Sequence, residues 1–267
     1  MSRIIVAGAT GRMGSRISAL SFEYPELVLA GAFERAGHKD AGKDVGVLAG
    51  VGEKGIKLAD SIKAVMDTGE VVIDFTAPQA TVANVAAAAA HNKAMVIGTT
   101  GLERDQIELV RNASRQIPII FAPNYSVGVN LLLKVLQDVA RVLGDEYDIE
   151  IIEAHHRLKK DAPSGTALKL AQVVAEAVNR NLDEVGVYAR KGIIGERKQK
   201  EIGIQTIRGG DIVGEHTVMF CGLGERIEIT HKASSRDTFA RGALRAAGWI
   251  VRQKPGLYDM QDMLGLK

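Results

Sequence analysis

The sequence predicts an α/β fold, in which a doubly wound parallel sheet is followed by a smaller α+β domain with a mainly antiparallel sheet. Three observations predict it. Five short apolar runs alternate with helical stretches in the first half of the chain, which is the pattern of β-α-β units. Glycines directly follow the first of these runs. Late in the chain, three strand-like runs succeed one another across glycine-rich turns, which favours antiparallel pairing.

The elements of the first half follow from local sequence. The strands are short apolar runs, several rich in Val and Ile, as is typical of buried parallel strands, and we expect them at residues 3–7, 27–33, 71–76, 94–98 and 118–122. The helices are expected at residues 11–20, 79–91 and 102–115. Pro78 suits a helix start, because the first N–H groups of a helix have no partner to lose. Residues 37–55 are rich in Gly, Lys and Asp and are predicted to be loop.

The pattern changes after Pro123. Helices are predicted at residues 127–143, 166–179 and 239–251, and strands at 147–154, 202–207, 211–220 and 226–230. The glycines at 209–210 and 222–224 suit hairpin turns between the last three strands. We therefore expect a first domain at residues 1–126, a second at 127–236, and a C-terminal return to the first domain at 237–267.

Composition excludes several classes of protein. Hydrophobic residues make up 46% and charged residues 25%, as in globular proteins. The net charge of +2 argues against a nucleic-acid binder, which needs a concentrated basic face. Cys221 is the only cysteine and excludes an intrachain disulfide. No apolar run reaches the ~18 residues of a membrane span, and a strand pattern begins at Arg3, so we expect a cytoplasmic protein without a signal peptide.

The loop after the first strand carries Gly8, Gly11 and Gly14. A tight turn there aims the N–H groups and dipole of the next helix at a phosphate, and small residues let a pyrophosphate approach the backbone. The spacing is G-x-x-G-x-x-G, with Thr10 at the usual middle glycine. In its β-α-β context the loop indicates a Rossmann-like dinucleotide site, and an ordinary strand–helix turn is the alternative.

Glu34 and Arg35 end the second strand, about twenty residues beyond the last glycine of the loop. An acid at this place binds adenosine ribose hydroxyls, and an arginine there pairs with a 2′-phosphate. The hypothesis is that NADH and NADPH both bind, and a surface ion pair is the alternative. Two further loops follow strands at the same edge and are candidates for the nicotinamide half, or else plain loops: Gly98, Thr99, Thr100 and Gly101, then Ala122, Pro123, Asn124 and Tyr125.

The segment 153–166 holds the densest chemistry. His155 and His156 end a strand, and Lys159 follows closely. Ser164 is a plausible N-cap of the next helix, whose start is an anion site. Histidine exchanges protons near neutrality, so the segment suits a small anionic substrate that is protonated after hydride arrives. The alternatives are a solvated surface loop and a metal site, the latter weakened because adjacent strand residues point to opposite faces.

A second polar cluster, residues 230–236, precedes the return to the first domain. Arg236 in this cluster could hold a carboxylate through two hydrogen bonds. An exposed linker charge is the alternative for Arg236. No set of ligands at a recognised spacing predicts a metal.

Taken together, these pieces resemble the dihydrodipicolinate reductase family of lysine and diaminopimelate biosynthesis, from Val6 to about Met263. The match is most specific in the segment from Glu153 to Ala167. Further matching segments are residues 72–76, 96–101, 214–217 and 229–236.

The resemblance implies that NAD(P)H reduces the cyclic dicarboxylate 4-hydroxy-tetrahydrodipicolinate to tetrahydrodipicolinate, with loss of water. It implies that His155 is the proton donor or acceptor, that Lys159 is a proton donor, and that His156, Gly165 and Thr166 contact substrate. It also implies a homotetramer formed through the second domain's sheet. The cofactor contacts implied are Gly8, Ala9, Thr10, Gly11, Arg12, Met13, Glu34, Arg35, Gly98, Thr99, Thr100, Ala122, Pro123, Asn124 and Tyr125.

Two positions depart from the family pattern. Thr10 stands where many relatives have glycine, and Lys160 stands where relatives often carry an apolar residue, which leaves the roles of Lys159 and Lys160 open. Two other functions remain as alternatives. A different two-domain nicotinamide oxidoreductase would act on a sugar or semialdehyde without needing the His155 segment. A non-catalytic dinucleotide sensor would lack the proton donors that this chain keeps.

Overall fold

The computed structural model describes all residues, Met1–Lys267. Two compact units make up the chain: unit 1 comprises Met1–Val127 with Asp237–Lys267, and unit 2 comprises Gly128–Arg236. The strands are β1 (Ser2–Ala7), β2 (Leu27–Phe33), β3 (Val71–Asp74), β4 (Ala94–Ile97), β5 (Pro118–Phe121), β6 (Asp148–His155), β7 (Gly186–Val187), β8 (Ile202–Arg208), β9 (Gly214–Cys221), β10 (Arg226–Ala233) and β11 (Gly256–Tyr258).

The helices alternate with the strands in unit 1 and flank the sheet in unit 2. They are α1 (Arg12–Ser21), α2 (Val45–Leu48), α3 (Pro78–Ala90), α4 (Arg104–Ala113), α5 (Val127–Leu143), α6 (Gly165–Ala177), α7 (Leu182–Val185), α8 (Asp237–Ile250) and α9 (Met260–Leu264). Short 3-10 turns lie at Ile62–Ala64, Met66–Thr68 and Gly144–Glu146. None of the helices combines the length and apolar character that a membrane crossing requires.

Unit 1 is built on a six-stranded sheet of order β11-β5-β4-β3-β1-β2. Every strand pair in it is parallel, which confirms the predicted doubly wound sheet. Strands β3 and β4 are buried along their whole length because helices cover both faces of the sheet. Helices α1 and α8 contribute to the core on one face, and α3 and α4 to the core on the other.

The strand order of unit 1 reverses between β1 and β3. Ligands of open α/β sheets bind in the crevice outside the carboxyl ends of the strands at such a switch point. The loop that begins at Gly8 and the residue Thr76 after β3 meet there, since a Cβ on Gly8 would lie 2.8 Å from Cγ2 of Thr76.

Unit 2 is an α+β structure with a five-stranded sheet of order β10-β9-β6-β8-β7. Strands β10, β9 and β6 pair antiparallel, whereas β6, β8 and β7 pair parallel. The second sheet and the β9–β10 hairpin were correctly predicted. The hairpin between β8 and β9 was wrong, because β6 lies between these strands. The Gly209–Gly210 turn packs beside the end of β6 instead, and the Gly209 N–H donates to the His155 carbonyl.

Residues of β6 alternate between the two faces of this sheet, as strand geometry requires. Ile149 and Ile151 are buried in a core that α5 and α6 complete. Two residues further along the same face, the side chains become polar at Glu153 and His155, which are also buried. The apolar face of the sheet therefore ends in a polar cluster next to the start of α6.

Candidate active site

The glycine turn of unit 1 brings α1 very close to the end of β1. Gly8 has a φ of +61°, a conformation that favours glycine. A Cβ on Gly14 would lie 2.1 Å from the Gly8 carbonyl oxygen, so only glycine fits there. The N-cap residue Gly11 supplies no side-chain hydrogen bond to the first turn of α1. The first-turn N–H groups are therefore left without a side-chain cap, and the turn fits a dinucleotide pyrophosphate.

Glu34 follows β2 and reaches back to this turn. Thr10 donates to its Oε1 twice, from the backbone N–H at 3.0 Å and from the hydroxyl at 2.6 Å. The predicted ribose acid therefore lies beside the glycine turn. Arg35 is exposed to solvent, as are Gly11 and Arg12, whereas Ala9 is buried under the loop.

A buried polar network at the end of β3 was not predicted. Asp74 is fully buried and accepts hydrogen bonds from the Thr76 hydroxyl at 2.6 Å and the Asn84 amide at 2.8 Å. The Thr81 hydroxyl donates to the Thr99 hydroxyl at 2.7 Å. The Thr99 side chain is thus committed to this network, which ties the loop after β4 to β3. Thr100 is exposed on the same loop.

The loop after β5 divides between core and surface. Tyr125 is buried, its hydroxyl donates to the Ile97 carbonyl at 2.9 Å, and burial raises the pKa of its phenol well above the usual value. The phenol is buried and hydrogen-bonded inside the protein, so only the main chain of Tyr125 is left to contact a cofactor. Pro123 is exposed, and Asn124 accepts the Ser126 N–H at 2.8 Å. Ala122 is buried and Gly98 is half-buried.

Unit 2 holds a buried carboxylate at the end of β6. Both oxygens of Glu153 accept from the Arg208 guanidinium at 2.8 Å. The Ser164 N–H donates to Glu153 Oε1 at 2.9 Å, and the Thr206 hydroxyl donates to the same oxygen at 3.3 Å. These donors outweigh the opposing effect of burial and lower the pKa of Glu153 to about 2.

His155 lies beside Glu153 on the same strand face, with 2.5 Å between its Nδ1 and Glu153 Oε2. Burial lowers the pKa of His155, while the neighbouring carboxylate of Glu153 acts in the opposite direction. The other ring nitrogen, Nε2, lies beside Gly214, on which a Cβ would sit only 3.1 Å away. Gly214 therefore keeps space next to Nε2.

His216 packs edge-on against the His155 ring, with 5.2 Å between the ring centroids. It lies opposite Glu153 in the β6–β9 register and is buried, which lowers its pKa to about 4. Its Nε2 lies 3.3 Å from the Ser164 hydroxyl. Because Ser164 also accepts the Ala167 N–H, the predicted N-cap of α6 is confirmed. The start of α6 is thus joined to the histidines.

The two lysines of the segment differ in their surroundings. Lys159 Nζ pairs with Asp161 at 2.8 Å, and its side chain is only 20% exposed. Lys160 is exposed to solvent. His156 is half-buried beyond the end of β6, Gly165 and Thr166 open α6, and Arg236 is exposed beyond the end of β10. No group of three or more His, Cys, Asp or Glu side chains is placed to hold a metal ion.

Sequence reasoning assigned no role to Glu153, Arg208 or His216, although Glu153 opens the segment 153–166 and His216 lies in the matching segment 214–217. One signal for Glu153 was available, because it follows Ile149 and Ile151 at the two-residue period of a buried strand face and shares that face with His155. Arg208 and His216 come from strands that are far away in sequence. They meet Glu153 only through the register of β6 with β8 and β9.

A glycine turn at the switch point of a parallel sheet is the anion site of dinucleotide-dependent enzymes, and an imidazole near a lysine serves a reduction that ends in protonation. The chain is a NAD(P)H-dependent oxidoreductase. Residues 2–125 match the family model "Dihydrodipicolinate reductase, N-terminus" and residues 128–264 match "Dihydrodipicolinate reductase, C-terminus". The chain therefore belongs to the dihydrodipicolinate reductase family.

Full-length relatives agree with this assignment, and a solved structure has a similar fold. The chain is 59% identical to a protein of Syntrophobacter fumaroxidans and 55% identical to one of Syntrophus aciditrophicus, each over 100% of both chains, and both are named 4-hydroxy-tetrahydrodipicolinate reductase. The fold is similar to dipicolinate-bound dihydrodipicolinate reductase from Paenisporosarcina sp. TG-14, with a TM-score of 0.76, 24% identity and 98% of each chain covered.

Proposed function

We propose that this protein reduces 4-hydroxy-tetrahydrodipicolinate to tetrahydrodipicolinate with NADH or NADPH, in lysine and diaminopimelate biosynthesis. The observation that carries the proposal is the cluster of His155, Lys159 and the start of α6 in unit 2. The imidazole of His155 lies beside Glu153, which accepts from the start of α6, and the ammonium group of Lys159 is close enough to lower the pKa of His155. The helix N-terminus suits a carboxylate. Full-length relatives with that name support the same substrate.

The cofactor contacts proposed lie along the carboxyl edge of the unit 1 sheet. The glycine turn would hold the pyrophosphate, Glu34 the adenosine ribose, and Arg35 the 2′-phosphate of NADPH. The loops after β4 and β5 would hold the nicotinamide half. The bound dihydronicotinamide supplies the hydride. The contacts are Gly8, Ala9, Thr10, Gly11, Arg12, Met13, Glu34, Arg35, Gly98, Thr99, Thr100, Ala122, Pro123, Asn124 and Tyr125.

On the substrate side, His155 gives or takes the proton and Lys159 supplies a proton or a positive charge. One substrate carboxylate would bind at the first turn of α6, through Gly165 and Thr166, where the helix dipole favours an anion. His156, Ser164 and Arg236 are the further substrate contacts proposed. Ser164 is also buried and bonded to its own helix, so it holds the helix start in place as well.

A homotetramer in the cytoplasm completes the proposal. Helices α5 and α6 pack on one face of the unit 2 sheet. The opposite face carries Ile152, Ile207 and Met219, and Ile207 is 49% exposed. A second copy of the chain would cover this face. Light scattering coupled to size-exclusion chromatography would give four times 28.6 kDa, and a monomer mass would exclude the tetramer.

A coupled assay with enzymatically generated substrate tests the function. Absorbance of NADH or NADPH should fall only when the dicarboxylate substrate is present. Oxidation with a semialdehyde or sugar instead would favour a different two-domain oxidoreductase. Cofactor binding with no turnover on any of these compounds would favour a non-catalytic sensor.

A further inference from the structure

Glu153 has no part in the proposed reaction, yet it is the most heavily hydrogen-bonded side chain of the site. Glu153 is fully buried, its carboxylate accepts from Ser164, Thr206 and Arg208, and its Oε2 lies 2.5 Å from His155 Nδ1. Burying a charge is costly unless it is paired and hydrogen-bonded. Packing alone does not account for an ionised, fully hydrogen-bonded carboxylate on the apolar face of the sheet.

We propose that Glu153, held by Arg208, is a positioning residue that fixes the proton of neutral His155 on Nδ1 and so presents Nε2 as the atom that gives or takes the proton. This inference rests on the proposed function, because it assigns a role to the imidazole of that reaction.

The hydrogen-bond chemistry of the cluster assigns the proton. An ionised carboxylate only accepts hydrogen bonds, and a guanidinium only donates them. Arg208 contacts both oxygens of Glu153 at 2.8 Å, which keeps the carboxylate ionised. The nitrogen of His155 that lies 2.5 Å from Oε2 must then be the donor. The low pKa of Glu153 agrees with this, since the carboxylate stays charged wherever an imidazole titrates.

The space around the ring favours Nε2 as the reacting atom. The Nδ1 edge faces the buried carboxylate, whereas the Nε2 edge faces Gly214. A side chain at position 214 would bring a Cβ to 3.1 Å from Nε2 and close this space. The absence of a side chain there is therefore consistent with keeping Nε2 accessible.

Several charges act on His155, in opposite directions. Glu153 on the same strand raises its pKa, while Arg208 on β8 and Lys159 in the following loop lower it, as burial does. Asp161 pairs with Lys159, and the His216 ring packs against the His155 ring from β9. Removing Glu153 should therefore lower the pKa of His155, and removing Arg208 should raise it.

Nitrogen-15 NMR of histidine-labelled full-length protein, titrated without substrate, tests the proposal. The His155 signals are assigned by their loss in His155→Gln. In the wild type, neutral His155 should carry its proton on Nδ1. Glu153→Gln should lose this tautomer preference and shift both the titration and the matching limb of the kcat/KM pH profile to lower pH, whereas Arg208→Gln should shift them to higher pH.

Glu150→Gln is the matched control. Glu150 lies on the opposite face of the same strand and pairs with Arg190 and Arg197, so its loss removes a similar ion-paired carboxylate away from the site. It should leave the His155 tautomer and titration unchanged, although stability falls. A purely structural role for Glu153 would give the same pattern in both variants.

Three outcomes would overturn the proposal: a wild-type proton on Nε2, shifts of the same sign in Glu153→Gln and Arg208→Gln, or a Glu150→Gln shift as large as theirs. If Glu153→Gln does not fold, the wild-type tautomer and the Arg208→Gln titration decide. The NMR readout needs no turnover. A protein with the expected tautomer but no reductase activity would therefore refute the proposed function alone.

Discussion

Thr10 donates both its backbone N–H and its hydroxyl to Oε1 of Glu34, at 3.0 and 2.6 Å. The residue that stands at the usual middle glycine therefore contacts the acid proposed to bind the adenosine ribose, rather than only shaping the turn. A carboxylate offers about four acceptor sites, so Oε2 stays available while Oε1 is held. The pair fixes the orientation of Glu34 before any nucleotide binds.

Removing the Thr10 hydroxyl should weaken NADH binding more than NADPH binding. Thr10→Val keeps the shape of the side chain and loses one charge-assisted hydrogen bond. Freeing Glu34 should raise the Kd of NADH by about 3- to 10-fold, because the lost bond acts on the nucleotide only through the orientation of Glu34 and one typical hydrogen bond is worth about 1 kcal/mol. Fluorescence titration with each nucleotide measures this. Thr10→Ser keeps the hydroxyl and should behave like the wild type, and equal losses for both nucleotides would contradict the assignment.

Arg35 should matter mainly for NADPH. It is exposed beside Glu34, where a guanidinium can pair with the 2′-phosphate. Arg35→Ala should weaken NADPH binding by about 10- to 150-fold and NADH binding much less, because charge-assisted pairs are worth roughly 1.5–3 kcal/mol. Lys39→Ala removes another exposed cation from the same loop and is the control. A similar loss of NADPH affinity in both variants would mean that the positive charge of the whole loop, rather than Arg35 itself, attracts the 2′-phosphate.

His155→Gln should abolish most turnover and spare cofactor binding. The glutamine keeps a polar group in the pocket but cannot exchange a proton near neutrality. A fall in kcat of about 10²- to 10⁴-fold is the usual cost of losing a general acid or base. Steady-state kinetics and NADPH titration measure the two effects. His91→Gln, which changes an exposed histidine of α3's C-terminal end, should match the wild type in both.

Substitution of the adjacent Lys159 and Lys160 tests which of the two lysines donates the proton. Lys159 is mostly buried against Asp161, whereas Lys160 is exposed. Lys159→Met should lower kcat by about 10²- to 10⁴-fold, as expected for a lost general acid, and Lys160→Met should leave kcat unchanged. Circular dichroism of both variants controls for folding. If Lys160→Met were the slower enzyme, the proton donor would have to be reassigned.

The unit 1 sheet could be predicted because its signals are local. Buried parallel strands such as Val71–Asp74 are continuous apolar runs, and Pro78 marks the start of α3. The short strand Gly256–Tyr258 was missed, because three residues that begin with a glycine carry almost no pattern. The β8–β9 hairpin was wrongly predicted because Gly209–Gly210 looks the same in a turn and in a crossover.

The candidate site was predictable only where its residues are neighbours in sequence. His155, Lys159 and Ser164 lie within one segment, and their residue types already indicate proton exchange and a helix cap. Arg208 meets Glu153 through the parallel pairing of β6 with β8, which no short-range sequence pattern predicts. The burial of Tyr125 is likewise a tertiary property, since it depends on packing against Phe75 and α8.

Acid should destabilise unit 2 in two pH ranges, in which His216 and Glu153 have the largest pKa shifts. His216 has a folded pKa of about 4 against the usual 6.5, so the unfolded chain binds its proton first and stability falls as pH drops from 6.5 to 4. Glu153 has a folded pKa of about 2 against 4.5, so its contribution is present above pH 4.5 and is lost between 4.5 and 2. Each step amounts to about 3 kcal/mol of unfolding free energy.

Amide hydrogen exchange of β6 and β8 measures this loss, because the single tryptophan, Trp249, lies in unit 1 and its fluorescence reports that unit instead. His216→Gln should reduce the loss between pH 6.5 and 4, to which the buried His155 also contributes, and keep the loss at lower pH. Glu153→Gln should reduce the loss between pH 4.5 and 2, to which Glu150 also contributes, and keep the upper one, although both variants start from a lower stability at pH 7. An acid profile of unit 2 that neither substitution alters would show that other carboxylates govern its unfolding.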